Sequence, residues 1–207
     1  NTAQREAYVE QLKVSLDLAT HGKEHIVYVD EAHIHLDTDE GYGWTVKGQR
    51  AWISSCSPGL AKVSFYGVYF YNQGAVQIHS FDKADSDNTL AVLKKIRAEF
   101  AESDKVTLIW DNASYHRSGL TQQAARDINI RLMPLPAYSP DFMPVEHLWR
   151  WLREDVTYHR CYEHGSVLIE KVKEFEKNIN VNPNVITDRL WTKTSLNKND
   201  EKLRFSN

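Results

Sequence analysis

The sequence predicts an α/β fold in which helices flank a mixed β-sheet. Residues 62–71 and 75–81 are β-branched and aromatic runs separated by Asn72, Gln73 and Gly74, and this pattern predicts an antiparallel hairpin. Farther along the chain, apolar strands alternate with helical patterns, which is typical of parallel strands joined by helical crossovers. The 207 residues, 42% of them hydrophobic and 26% charged, suffice for one globular core.

The first part of the chain begins with helical spacing and then changes to strand and loop patterns. Residues 3–19 carry an imperfect apolar stripe that ends at Gly22, which predicts a connecting helix. Residues 25–30 predict a short apolar strand that stops at Asp30. The polar, glycine-rich residues 37–48 predict a loop or a small ribbon.

Helices and strands alternate after the hairpin. Ser86 or Asp87 can cap the first of these helices, and Pro144 suits the first turn of a later one. The remainder from Val181 is polar and weakly patterned. The predicted elements are a helix over residues 86–100, a strand over 105–110, a helix over 114–125, a strand over 128–133, a helix over 144–157 and an amphipathic helix over 166–178.

Composition and charge exclude several classes of protein. The net charge of −3 argues against a protein that holds duplex DNA by a basic surface alone, because Lys and Arg supply most non-specific affinity for phosphates. The most apolar run, residues 63–71, is half the length of a membrane helix, and no secretory pattern begins the chain. Cys56 and Cys161 are too few and too isolated for a disulfide framework or a cysteine-rich zinc site. We therefore expect a cytoplasmic protein with no membrane partner.

Three carboxylates are candidate metal ligands. Asp30 and Asp111 each end an apolar strand, where ligands commonly bind in open α/β sheets, and Glu146 lies near the start of a helix. Mg²⁺ and Mn²⁺ prefer such hard oxygen ligands. Two ions about 4 Å apart can activate a water or a 3′-hydroxyl and stabilise the leaving oxygen at phosphorus. The pattern therefore suits metal-dependent phosphodiester chemistry.

Each acid also has a purely structural explanation of comparable weight. Asp30 can end a strand, and Asp111 with Asn112 can cap the next helix. Glu146 is favoured in a first turn by the helix dipole and can pair with Arg150. Spacing alone leaves both interpretations open.

Four longer segments surround these acids. They are VDEAHIHLD at residues 29–37, GWTVKGQR at 43–50, IWDNASYHRS at 109–118 and LPAYSPDFMPVEHLWRWLRE at 135–154. Together they resemble the catalytic domain of mariner-like transposases, particularly the bacterial insertion-sequence branch. The resemblance covers about residues 25–157, and the last segment, which is long and has a proline-rich frame, is its strongest part.

The resemblance implies a ribonuclease H-like fold with Asp30, Asp111 and Glu146 as catalytic and metal-binding residues. In that family thirty-four residues separate the second Asp from the Glu, and 34 residues lie between Asp111 and Glu146. The resemblance further implies two Mg²⁺ or Mn²⁺ ions, DNA cleavage at inverted-repeat ends and transfer of the freed 3′-hydroxyls into target DNA, typically at a TA step. Because two ends must be cut in concert, we expect a homodimer, acting at the bacterial nucleoid.

The chain departs from the family pattern in its last motif and at its N-terminus. Met143 stands where relatives usually carry Asn, and Ala137 replaces a usual proline. A Met side chain cannot cap the Glu-bearing helix, a loss of about 1 kcal/mol. The helix-turn-helix region that recognises inverted repeats is missing, and a start at Asn1 rather than Met suggests a fragment or a processed chain. We therefore assign residues 1–24 to a connecting helix from that missing region, 25–160 to the catalytic domain and 161–207 to a C-terminal helix with a polar tail.

Several side chains near the acids are candidate DNA contacts. The loop after the first catalytic strand lies near DNA by resemblance, and its Trp can stack against a base or form the core of a small ribbon. A histidine near the second acid can contact DNA or a metal-bound carboxylate, or it can lie on a helix surface. Two arginines fall on the Glu146 side of their helix and can neutralise phosphates. These candidates are Trp44, Lys47, Arg50, His116, Arg150 and Arg153.

The other polar residues near the acids are explained more simply without a role as metal ligands. Glu31 should point to the sheet face opposite Asp30, where it supports the site indirectly or is solvated. His33 and His35 share a face, but the absence of nearby cysteine and the competing hard-metal site argue against zinc. His147 is an ordinary helix-surface histidine or a supporting contact. The apolar face of the last motif's helix is predicted to be core and consists of Leu148, Trp149, Leu152 and Val156.

Two alternatives to an active transposase follow from the same residues. A ribonuclease H-like nuclease for hybrids or junctions would use the same three acids. A catalytically weakened remnant that binds DNA or partner subunits would explain Met143 and the missing recognition region.

Overall fold

Five strands form one mixed sheet in the computed structural model, which describes residues 2–39, 41, 44–50, 52–56, 59, 61–81, 83 and 85–196. The first three strands along the chain form antiparallel pairs. The fourth strand pairs parallel with the first, and the fifth pairs parallel with the fourth, which confirms the predicted mixed sheet. The sheet order is β3-β2-β1-β4-β5. The strands are β1 (His25–His35), β2 (Lys62–Phe70), β3 (Ala75–Phe81), β4 (Val106–Trp110) and β5 (Ile130–Pro134).

Helices cover both faces of this sheet. Alternate residues of β1 belong to different core clusters, since Ile26 and Tyr28 pack on one face and Val27 and Val29 on the other. One face is covered by α1, α4, α5 and α6, and the other by α2 and α3. The helices are α1 (Thr2–Thr20), α2 (Ser86–Ala98), α3 (Gly119–Asp127), α4 (Val145–Leu152), α5 (Gly165–Ile179) and α6 (Pro183–Arg189).

Helices outside the predicted catalytic domain, on both sides of it in the sequence, share the core of the sheet. Leu12 of α1 and Leu168 of α5 are completely buried in the same cluster as Tyr28. The division at residues 24 and 160 stays a prediction. Within the described residues, no helix has the combined length and apolarity required to cross a membrane.

The first strand is longer than its sequence pattern predicts. The strand was expected to end at Asp30, which is wrong, because β1 continues to His35. Its parallel pairing with β4 stops at Tyr28, opposite Ile109, while its antiparallel pairing with β2 continues to the end. Asp30 therefore lies where β1 passes the end of β4, with an open sheet edge on one side and a paired strand on the other.

Helix boundaries differ from the predicted ones where capping residues decide them. Asp85, not Ser86 or Asp87, caps α2 by accepting a hydrogen bond from the Asn88 amide at 3.0 Å. The helix predicted from residue 114 begins at Gly119, because the preceding residues form turns and Ser118 provides the cap. Asp111 and Asn112 consequently do not cap a helix.

Two further differences concern the end of the chain and the cysteines. The polar remainder contains α6, which has Pro183 in its first turn and Asn182 as its cap, a start signal that the weak apolar pattern obscured. Cys56 and Cys161 were judged isolated, but the structure joins their thiols by a hydrogen bond, which raises the pKa of Cys56 to about 11.

Helix α4 lies directly on the hairpin at Gly67. This residue of β2 pairs with Asp30 across the sheet, and it is buried under α4. A Cβ atom at this position would lie 2.7 Å from the Trp149 ring and 2.9 Å from Val145. The missing side chain therefore permits α4 to pack at a distance that no other residue allows.

Replacing Gly67 with Ala should destabilise the fold by about 1–3 kcal/mol, because the new methyl group overlaps an aromatic ring on a packed helix. Urea unfolding followed by circular dichroism measures the loss. Gly119→Ala is the matched control, since no atom beyond its chain neighbours and its own helix backbone lies within 4 Å of the new methyl group there. Equal stability of the two variants would contradict the close packing of α4 on β2.

Candidate active site

Asp30 is held in the middle of β1 by a hydrogen bond from helix α4. Trp149 Nε1 donates to Asp30 Oδ2 at 3.0 Å, so the residue predicted to be core also contacts the acid. Burial, together with the charges of Glu146 and Glu31, raises the pKa of Asp30 to about 8, although the hydrogen bond from Trp149 opposes this rise. A carboxylate in this position is stabilised by any cation that enters the site.

Asp111 follows β4 and is oriented by its own loop. Its Oδ1 accepts hydrogen bonds from His116 Nδ1 at 2.8 Å and from the Ala113 amide at 2.9 Å. The hydrogen bond from His116 lowers the pKa of Asp111, although partial burial opposes this effect. The neighbouring Asn112 donates to the Leu135 carbonyl and thereby ties the loop to the segment after β5.

Glu146 lies in the first turn of α4, after a 3-10 turn formed by Pro140–Phe142. Burial raises its pKa, while the positive charges of Arg153 and Arg150 lower it. No side chain caps α4, as predicted from Met143, whose own side chain is buried in the core. The Met143 carbonyl instead accepts the Glu146 amide at 3.1 Å.

The three acids line one cleft with a volume of about 960 Å³. They arrive from β1, from the loop after β4 and from α4, so the sheet edge and one helix create the site together. Three carboxyl groups in one cleft offer the hard oxygen ligands that Mg²⁺ and Mn²⁺ prefer. The cleft is lined by Asp30, Glu31, Ala32, His33, Asp111, Pro140, Asp141, Glu146, His147, Trp149, Arg150, Arg153 and Tyr158.

Glu31 and His116 form a buried pair beside Asp111. His116 Nε2 lies 2.9 Å from Glu31 Oε1, and the side chains are 1% and 8% exposed respectively. Burial by itself lowers the pKa of His116, but its hydrogen bonds to Asp111 and Glu31 outweigh this and raise the pKa to about 9. Glu31, Asp111 and His116 each have a ligand atom within 4.8 Å of the others.

This arrangement bears on two expectations. His116 was a candidate contact to DNA or to a metal-bound carboxylate, and its buried ring, stacked on Trp110 with centroids 4.1 Å apart, favours the carboxylate because it contacts Asp111. Glu31 does lie opposite Asp30, since it meets the Trp110 side of the sheet while Asp30 meets the Trp149 side. It is not solvated, because its side chain is 8% exposed.

The other candidate DNA contacts fall into two groups. Arg150 and Arg153 are exposed and line the cleft beside Glu146. Trp44, Lys47 and Arg50 are exposed in the segment between β1 and β2, so Trp44 is not the core of a ribbon. Gly43, which begins the second motif, lies outside the described residues.

Among the described residues, His33 and His35 belong to no group of three or more candidate metal ligands. Both are exposed, and His33 Nδ1 lies 2.9 Å from Ser64 Oγ. His147 is half-buried on α4, lines the cleft and packs its ring near Trp191 with centroids 5.3 Å apart.

Tyr138 is a rim residue that the sequence pattern does not reveal. It is 98% exposed and has a positive φ of 55°, an unusual conformation for a bulky residue. It lines a second depression that also contains Asp30, Asp111 and Glu146. An aromatic ring is thus presented to solvent next to the three acids.

Comparison with protein families gives a match over most of the chain. A family model described as DDE superfamily endonuclease matches residues 25–169. A protein of Shigella sonnei described as "Insertion element IS630 uncharacterized 39 kDa protein" is 30% identical over 161 residues, which are 76% of this chain and 46% of that protein. The chain therefore spans about half the length of this curated relative.

Solved structures share the fold. The catalytic domain of Mos1 mariner transposase is 15% identical with a TM-score of 0.59, covering 92% of this chain and 93% of that domain. A chain of the Mos1 strand transfer complex is 17% identical with a TM-score of 0.63, covering 92% of this chain and 61% of that chain. The prediction of a ribonuclease H-like fold is confirmed.

The substitution Asp30→Asn should weaken the pH dependence of stability in the metal-free protein. Because folding raises the pKa of Asp30 from 3.8 to about 8, the folded state binds more protons between these values, and wild-type stability falls as the pH rises through this window. Asn does not titrate and keeps an oxygen acceptor for Trp149.

Urea unfolding in EDTA at several pH values between 5 and 8 measures this slope. Asp127→Asn, an exposed acid outside the cleft lining, is the control and should keep the wild-type slope. An unchanged slope in Asp30→Asn would show that Asp30 ionises normally in the folded protein.

Proposed function

Because the chain belongs to the DDE superfamily endonuclease family, we propose that it is the catalytic domain of a DNA transposase. In this proposal the protein cleaves strands at the inverted-repeat ends of a mobile element and transfers the freed 3′-hydroxyls into target DNA. The observation that carries the proposal is the convergence of Asp30, Asp111 and Glu146 on one open cleft from three separate elements.

The three acids would hold divalent metal in this cleft. Their oxygens are the ligands that Mg²⁺ and Mn²⁺ prefer. Burial and the charges of Glu146 and Glu31 raise the pKa of Asp30, and a bound cation would favour its ionised form. We propose two ions of Mg²⁺ or Mn²⁺. When bound, a metal pair supplies an activated oxygen nucleophile and stabilises charge on the leaving oxygen of an in-line displacement.

The protein itself would orient the acids and the DNA backbone. Trp149 holds Asp30 through its indole N–H, and the Ala113 amide holds Asp111. Arg150 and Arg153 are exposed beside Glu146, where they can bind phosphates flanking the cleaved bond. Asp111 and Glu146 are exposed in the cleft, as are the two arginines, so a DNA backbone can reach them.

The exposed segment between β1 and β2 is a second proposed DNA contact. Trp44 is fully exposed and Trp52 is 86% exposed, and the exposed Lys47 and Arg50 lie between them. Aromatic rings can stack on unpaired bases, and the basic side chains can neutralise phosphates.

The Mos1 complexes support a proposal about the partners of this protein. Mos1 has been solved as a paired-end complex with Mn, as one with Mg and as a pre-cleavage transpososome. We infer by analogy that this protein binds the inverted-repeat ends of its element and a target DNA that contains a TA step. We further infer that two copies assemble on paired ends. Its place of action would be the bacterial nucleoid in the cytoplasm.

Replacing Asp30, Asp111 or Glu146 with Ala should abolish metal-dependent DNA cleavage while the domain stays folded, because each variant lacks one ligand of the metal pair. Cleavage of labelled DNA carrying the element's inverted repeat, with Mg²⁺ or Mn²⁺, measures the loss. Asp127→Ala is the control and should cleave as the wild type does. Full activity in any one of the three variants would refute its role.

The same assay separates the proposed function from its alternatives. A nuclease for other structures would cut an RNA–DNA hybrid or a junction and spare the inverted-repeat end. An inactive remnant would cut none of these substrates and would bind no Mn²⁺ at millimolar concentration.

Removing Arg150 or Arg153 should weaken DNA binding and make it less dependent on salt. Each lost phosphate contact reduces the slope of log K against log salt by about 1. Fluorescence anisotropy in EDTA measures binding without cleavage. Arg126→Ala, an exposed arginine on α3 outside the cleft, is the control and should leave the slope unchanged. Unaltered slopes in the two test variants would exclude these arginines as phosphate contacts.

A further inference from the structure

We propose that His116 and Glu31 are positioning residues that hold Asp111 in a one-oxygen mode of metal binding. The inference deepens the proposed function and rests on it, since it takes Asp111 to be a metal ligand. It concerns two side chains that would not themselves touch metal or DNA.

The two oxygens of Asp111 have different surroundings. Oδ1 accepts two hydrogen bonds, one from His116 Nδ1 at 2.8 Å and one from the Ala113 amide at 2.9 Å. Among the described residues, no hydrogen bond to Oδ2 is formed, and the Asp111 side chain is 51% exposed on the cleft. Oδ1 is therefore committed to the protein, and Oδ2 is presented to the cleft.

His116 can orient Asp111 because its own ring has little freedom. The ring is 1% exposed and stacks on Trp110 with centroids 4.1 Å apart and planes 8° from parallel. Tyr115 packs against it edge-on with centroids 4.6 Å apart. A ring held on two sides fixes the direction of its Nδ1 donor, and hydrogen-bonding partners of metal ligands commonly act in this way.

Glu31 completes the arrangement from the neighbouring strand. Its Oε1 lies 2.9 Å from His116 Nε2, so the second ring nitrogen is also engaged. Asp30 and Glu31 are consecutive in β1, and they point to opposite faces. Strand β1 thus carries one proposed metal ligand, Asp30, on one face of the sheet. On the other face it carries Glu31, which orients the second proposed ligand through His116.

The same three groups could instead form a metal centre of their own, because their ligand atoms lie within 4.8 Å of one another. The hydrogen bonds argue against this alternative. Both ring nitrogens of His116 already contact carboxylate oxygens, and the ring would have to give up one of these contacts to bind a metal. The buried Glu31 side chain is 8% exposed, whereas Asp111 opens onto the cleft.

Two substitutions at one position test the positioning role. The amide nitrogen of Asn can replace Nδ1 of His116, and that of Gln can replace Nε2. His116→Asn should therefore keep the donor to Asp111 and lose the contact to Glu31, while His116→Gln should do the reverse. Both variants lose the stacked ring, so a purely structural role predicts that they behave alike.

Mn²⁺ binding to the 207-residue chain, measured by isothermal titration calorimetry, is the readout. His116→Gln should weaken binding about 10–100-fold, whereas His116→Asn should lose less than about tenfold, as expected for loss or retention of a partner to a metal ligand. Thermal unfolding in EDTA establishes that both variants fold. Equal loss of affinity in the two variants would overturn the inference.

Two further variants separate the possible failures. Glu31→Gln keeps an oxygen acceptor for His116 and should bind Mn²⁺ within about tenfold of the wild type; a loss as large as that of Asp111→Asn would instead make Glu31 a metal ligand and overturn its positioning role. Asp111→Asn should bind Mn²⁺ much more weakly. Wild-type binding by Asp111→Asn would contradict the proposed metal site itself, whereas weak binding by that variant together with unchanged binding by His116→Gln would contradict only the positioning role.

Discussion

The close packing of α4 on the hairpin is the constraint on which the candidate site depends. Gly67 leaves room for Trp149 and Val145 against β2, and it pairs with Asp30 across the sheet. Trp149 then reaches Asp30 with its indole N–H, three residues after Glu146 on the same helix. The absence of one side chain on a strand therefore determines how near two acids from distant parts of the chain come to each other.

This proximity has an electrostatic cost that the surrounding residues reduce. Asp30 is buried near two other acids, which is why its pKa rises to about 8. Arg150 and Arg153 oppose the same effect at Glu146, and His116 opposes it at Asp111. These opposing effects act on each acid separately, and at Asp30 they do not cancel the rise in pKa. Because folding raises the pKa of Asp30, ionisation of this carboxyl opposes folding, and a cation bound beside it would offset that effect.

Sequence patterns predicted most of the sheet because each strand has its own apolar run. They failed where pairing with another strand sets the length of an element. Strand β1 continues beyond Asp30 because it forms hydrogen bonds with β2, which the local sequence of β1 does not reveal. The three acids could be selected because they follow strands or begin a helix within long motifs. The contact between Glu31 and His116 joins residues far apart in the chain, and the positive φ of Tyr138 is a property of its loop. Neither feature produces a periodic pattern in the sequence.

The net charge of −3 and a proposed role on DNA are compatible because the charges are unevenly distributed. Acidic side chains converge inside the cleft, whereas the arginines beside it are exposed, as are Lys47 and Arg50 in the segment before β2. A phosphate approaching the cleft without metal meets repulsion from the acids and attraction only at the rim. Binding of divalent cations would reverse the sign of the charge at the centre while leaving the rim unchanged. In the proposed function, productive engagement of DNA would thereby be coupled to metal occupancy, and affinity for any duplex without metal would remain low.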